Sequence, residues 1–137
     1  MNLENFVGEH TLLGVDFYNE QVERYGYREE SAHCLFELDS GTYVVIENPG
    51  DGYRSHMDEI RKVDIQAKNR FPGERVVAKF SQGEERYQTD DVVEFVSIAT
   101  GKVVLAIGTR NTDDYYPWFC AEYSPENMSV NASEPNQ

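Results

Sequence analysis

His33-Cys34-Leu35-Phe36-Glu37-Leu38-Asp39-Ser40-Gly41-Thr42-Tyr43-Val44-Val45-Ile46-Glu47 is the stretch whose reading decides the fold. Cys34, Phe36 and Leu38 alternate around Leu35 and Glu37, the two-residue period of a strand. Asp39-Ser40-Gly41 is a tight turn, with glycine free to take a positive φ. Thr42 to Ile46 is β-branched or aromatic throughout, which suits a second strand. The stretch therefore predicts a β-hairpin.

The same pattern recurs on both sides. Residues 11–18 read as an earlier strand, with Leu13, Val15 and Phe17 expected to face inward. Residues 75–80 read as another. Residues 91–98 and 103–107, joined by Ala99-Thr100-Gly101-Lys102, predict a second hairpin. Residues 117–123 close the series, and Pro117 suits a first strand position, where no ladder donor is missed. Ser55 as a cap, Asp58 and Glu59 after it, and Met57, Ile60 and Val63 near helical spacing predict one short helix over 56–63. Residues 20–30 are polar and read as a loop or short helix. The expected fold class is mainly β, a β-rich α+β domain. It is an antiparallel roll or partly open barrel of about seven strands with one short helix. The domain spans 1–123, and 124–137 is expected to be a polar tail.

A chain of 137 residues suits one domain and needs neither metal nor disulfide to fold. Its hydrophobic fraction of 39% supports a core rather than disorder. Net charge is −13, from 25 acidic and 12 basic residues. Residues 1–53 carry 11 acids and 2 bases, 54–86 carry 6 and 8, and 87–137 carry 8 and 2. So negative a chain repels nucleic acid and anionic membranes and suits a basic protein partner. Solubility alone also accounts for it. Cys34 and Cys120 sit in apolar runs and read as buried free thiols. The first residues lack a basic region and a long apolar stretch, so a cytoplasmic location is expected.

No constellation asks for catalysis. His10, His33 and His56 lack ligand-like spacing, and neighbours such as His33 and Cys34 point to opposite faces of a strand. Gly50-Asp51-Gly52 lacks the lysine of a phosphate loop. Asp90-Asp91 and Asp113-Asp114 read as solvated turn residues. No catalytic residue, metal or cofactor is expected. An enzyme on a phosphorylated substrate, with an Asp or His base, is the third-ranked reading.

Two loops stand out. One holds Tyr53, Arg54 and Ser55; the other holds Thr109, Arg110, Asn111, Thr112, Tyr115 and Tyr116. Arginine offers a planar fork for phosphate or carboxylate, and tyrosine a stacking face and a hydroxyl. If both loops reach one end of the barrel, these nine residues form a ligand-binding pocket. Alternatively, Asp51 and Asp113 pair with Arg54 and Arg110 inside their own loops, and Asx turns absorb the polar groups.

Asp51-Gly52-Tyr53-Arg54-Ser55, and Asp113-Asp114-Tyr115-Tyr116-Pro117 after the Val103-Val104-Leu105 strand, resemble segments of a family of small bacteriophage proteins of unknown function. The resemblance covers most of residues 10–123 and implies a phage protein acting in the host cytoplasm against a host defence. Two modes are expected. In the first, the chain is a non-enzymatic binder that sequesters a small nucleotide signal, such as a cyclic nucleotide. In the second, it is an acidic mimic of nucleic acid that inhibits a basic host protein such as a nuclease or CRISPR effector. Direct nucleic-acid and membrane binding are not expected. An edge strand such as 11–18 can pair between subunits, so a homodimer is compatible with both.

Overall fold

The structure is a computed structural model that describes residues 1–24, 26–50, 55–82, 91–111 and 117–130. Among these residues lie eight strands: β1 (Gly8–Arg24), β2 (Tyr27–Leu38), β3 (Gly41–Asn48), β4 (His56–Val63), β5 (Arg70–Gln82), β6 (Asp91–Ser97), β7 (Val103–Asn111) and β8 (Pro117–Tyr123). They form one sheet in the order β4-β3-β2-β1-β5-β6-β7-β8, with every pairing antiparallel. The fold is mainly β, and the helical elements described are short 3₁₀ turns at Leu3–Phe6 and Pro125–Asn127.

Both predicted hairpins form. Phe36 faces Tyr43 and Cys34 faces Val45 across β2 and β3, while Phe95 faces Leu105 and Val93 faces Ile107 across β6 and β7. The alternating residues close over a core that includes Leu12, Phe36, Val45, Phe95, Leu105 and Ile107. The first 3₁₀ turn inserts Phe6 into this core, with ring centroids 5.5 Å from Phe36, 4.9 Å from Tyr43 and 6.1 Å from Phe95. Edge-on aromatic packing of this kind adds to the burial of the rings themselves.

Three local expectations give way to the sheet. Residues 56–63 form β4 rather than a helix. Ile60 lies opposite Val45, and the pairing runs from Thr42↔Val63 to Asn48↔His56 with a bulge at Ile46/Glu47. Pairing to β3 outweighs a helix-start signal worth about 1 kcal/mol. Residues 20–30 are strand as well: β1 and β2 continue as a ribbon through Gln21↔Glu30, Val22↔Glu29 and Glu23↔Arg28. The ribbon extends past Gly14↔Arg70 and His33↔Ile46, where β5 and β3 stop flanking it. Both of its faces meet water, so no apolar alternation marks it. Leu13, finally, is not a core residue. A bulge between Leu12 and Gly14 shifts the phase, and Leu12 and Val15 face the core instead.

Three buried carboxylates tie down irregular segments. The β4–β5 connection crosses the outer surface of β2 and β3, where Ala67 packs with Leu35, Val44 and Ile46. Asp16 accepts the Lys68 and Asn69 N–H groups at 2.6 and 2.9 Å, and Glu37 accepts that of Ala67 at 3.0 Å. At the other end of the chain, Glu74 accepts the N–H groups of Ser129 and Val130 at 2.9 and 3.1 Å. Residues 124–130 therefore pack on the sheet, with Met128 buried, and only 131–137 of the expected tail lie outside the described residues.

Candidate functional site

β4 and β8 are the two edges of the sheet, and their first residues meet. The Ser55 N–H donates to the Pro117 carbonyl at 3.0 Å. The Ser55 Oγ accepts from the Phe119 N–H at 2.8 Å. Beside this seam, Thr109 Oγ1 accepts from the Met57 N–H at 2.8 Å. Ser55 and Pro117, the described ends of the β3–β4 and β7–β8 connections, therefore lie side by side.

A hollow of about 430 Å³ opens there, lined by Met1 to Glu4, His56, Met57, Phe80, Asp91 and Thr109. Phe80 lies on β5 just before the β5–β6 connection, and Asp91 ends it. His56, Phe80, Asp91 and Thr109 on its wall thus flank three connections in the chain. Their segments 51–54, 83–90 and 112–116 carry Asp51, Glu84, Glu85, Asp90, Asp113 and Asp114 against Arg54 and Arg86. Glu4 and Asp91 on the wall have the same sign.

The nine residues singled out from the sequence separate into three groups. Ser55 and Thr109 are 4% and 7% exposed, and each hydroxyl oxygen already receives a backbone N–H. They build the seam. Arg110 follows Thr109 on β7 and so points to the opposite face. There its Nη1 donates to Glu122 at 3.0 Å and its Nη2 lies 3.7 Å from Glu94. Thr109 and Arg110 therefore do not share a wall, and the guanidinium belongs to an ion-pair ladder across β6, β7 and β8. The Asn111 backbone pairs with Pro117. Tyr53, Arg54, Thr112, Tyr115 and Tyr116 lie outside the described residues.

The sequence reading missed the N-terminal turn. Leu3 and Phe6, three residues apart and both buried, were its signal. It also missed Met57, Phe80 and Asp91, which only the register brings together. Elsewhere Arg61 pairs with Glu59 and Arg70 with Glu37 at 3.2 Å, and Arg75 with Glu9 at 3.0 Å. His33 is buried on the outer face, its ring 5.1 Å from Tyr18 and its Nδ1 3.0 Å from the Ser31 carbonyl. Cys34 and Cys120 are buried free thiols. Burial pushes both up to about 12. The nearby Asp16 charge adds to this at Cys34, and at Cys120 Arg110 acts against it. Among the described residues, no three His, Cys, Asp or Glu side chains gather as a metal site, and no helix is long and apolar enough to cross a membrane.

Comparison with known proteins found no matching family, no matching curated protein and no matching solved structure.

Proposed function

We propose that this chain is a non-enzymatic binding protein whose loop-bearing end docks on a basic protein surface, occupying the place of nucleic-acid phosphates. The observation that carries the reading is a hollow whose wall holds Glu4 and Asp91 and whose lining residues His56, Phe80, Asp91 and Thr109 flank three acid-rich connections in the sequence. A net charge of −13 speeds encounter with a cationic patch and makes affinity depend on salt. In the phage setting that the loop segments suggest, the target is a host nuclease or other defence effector with a basic nucleic-acid cleft.

Decalysine, labelled and followed by anisotropy, is the probe. Affinity should fall about tenfold or more between 0.05 and 0.2 M salt. Glu84→Gln/Glu85→Gln/Asp113→Asn/Asp114→Asn should weaken it well beyond Glu20→Gln/Glu23→Gln/Glu29→Gln/Glu30→Gln, which makes the same charge change on the ribbon. Equal effects of the two sets would reduce the reading to bulk charge and remove the loop-bearing end from it.

A second reading is sequestration of a small nucleotide signal by Tyr53, Arg54, Tyr115 and Tyr116. The bond from the Ser55 N–H to the Pro117 carbonyl favours it, because it holds the exits of both arginine- and tyrosine-bearing loops together. Against it stand the acidic wall and the engagement of Ser55, Thr109 and Arg110 in the fold. Thermal shift with cyclic and linear nucleotides decides: a shift abolished by Arg54→Ala supports sequestration, and no shift with any nucleotide ends it.

A further inference from the structure

A second hollow lies where β1 outruns its neighbour. β5 begins at Arg70, opposite Gly14, whereas β1 continues to Arg24. Val15 faces the core, and Phe17 stands opposite the core residue Cys34, so it points to the same inner face. Beyond Gly14↔Arg70 β5 no longer pairs alongside β1, and Phe17 is left 51% exposed. The resulting hollow holds about 440 Å³, lined by Val15, Phe17, Phe71, Tyr123 and Pro125 with Asn69 and Arg70 at its polar side. The Tyr123 ring lies 6.4 Å from that of Phe17, inclined by 39°. None of these residues lines the loop-bearing hollow.

The polar side is held from behind. Asp16, buried, accepts the Lys68 and Asn69 N–H groups and also Asn69 Nδ2 at 2.8 Å. Glu37, also buried, accepts the Ala67 N–H and lies 3.2 Å from Arg70 Nη2. Gly14 lets this segment approach: a Cβ there would sit 2.6 Å from the Ala67 Cβ and 2.9 Å from the Asn69 carbonyl oxygen. Two buried carboxylates and a glycine thus place one guanidinium beside three aromatic rings before any ligand arrives, which is the arrangement that lowers the cost of binding. The Arg70 side chain is 44% exposed, and a guanidinium has five donors, so Glu37 leaves capacity for a second acceptor.

We infer that this hollow is a binding site for a small planar aromatic molecule bearing one anionic group, its ring held by Phe17, Phe71 and Tyr123 and its anion by Arg70. The aromatic walls select a flat apolar body. Arg70 selects against a cation, and the small volume excludes a folded partner. Protein charges beyond about 10 Å are screened at ordinary salt, so the net negative charge does not bar a local anion contact.

Anilinonaphthalene sulfonate is the probe, with the uncharged N-phenylnaphthylamine as its counterpart. The sulfonate should bind saturably and one to one, more tightly than the uncharged ring. Arg70→Gln should weaken it about tenfold, the loss of a charge-assisted hydrogen bond, and Phe17→Ser should weaken it several-fold. Trp118→Ser, an exposed aromatic elsewhere, should leave it unchanged. Thermal unfolding of each variant guards against Glu37 being stranded by Arg70→Gln. If that variant does not fold, Phe17→Ser against Trp118→Ser carries the test alone. Equal or tighter binding of the uncharged ring, insensitivity to Phe17→Ser, or no saturation below about 1 mM overturns the inference.

Discussion

Ser55 accepts a hydrogen bond from Phe119 and donates one to Pro117 where the two sheet edges meet. Ser55→Ala keeps the donor but leaves the half-buried Phe119 N–H without its acceptor. The expected cost is about 1–3 kcal/mol of stability in urea unfolding. Gly108 is less replaceable still. Its φ of +147° is paired with so close an approach to β6 that an added Cβ would meet the Asp91 carbonyl oxygen. Gly108→Ala should cost more than about 3 kcal/mol or prevent folding, read from circular dichroism and the urea midpoint. The two cysteines make an opposite prediction, of silence. With both thiols held up to about 12 by burial, Ellman's reagent at pH 8 should label neither in the native protein and both after unfolding.

The C-terminal segment is an element held by one carboxylate. Burial alone would raise Glu74, but hydrogen bonds from Ser97, Ser129 and Val130 outweigh it and hold the group below its ordinary range. Ser97 donates to Glu74 Oε2 at 2.5 Å and the Ser129 hydroxyl to Oε1 at 2.8 Å. A lowered value means the unfolded chain binds this proton more readily than the folded one. The stabilisation is therefore full above the ordinary glutamate range and is lost as pH falls through and below it. Amide exchange at Ser129 and Val130 should accelerate in that acid window relative to β6. In Glu74→Gln the two amides should exchange fast at neutral pH, with no further acid step in their protection. The 124–130 stretch reads as tail in sequence because it is polar and proline-bearing; its anchor lies some fifty residues earlier, at Glu74, where no local pattern can announce it.

At the scale of the whole molecule, a net charge of −13 makes the compact state repel itself. Raising salt from 0.01 to 0.5 M should raise the thermal midpoint by a few degrees, since screening at the higher value acts within a few ångströms. The same salt should weaken any complex with a cationic partner, so stability and affinity are expected to move in opposite directions. A protein stabilised by its salt bridges would instead lose midpoint. Exposed pairs such as Arg75–Glu9 and Arg61–Glu59 contribute too little to reverse the sign.

The period-two runs at 33–47 and 91–107 were enough to establish two hairpins and a mainly β chain, because alternation reports directly which side chains share a face. Buried thiols were legible for the same reason, as cysteines inside apolar runs. Sequence alone also carried the charge and its uneven distribution. It could not reveal that 56–63 is an edge strand, that 20–30 prolongs a ribbon, or that Thr109 and Arg110 part company across β7. Those outcomes depend on which strand lies alongside and in what register, and one bulge at Leu12/Gly14 is enough to exchange inside for outside. The seam at Ser55, the anchor at Glu74 and the hollow beside Arg70 join residues more than fifty positions apart, and only the tertiary fold of the sheet decides which of them touch.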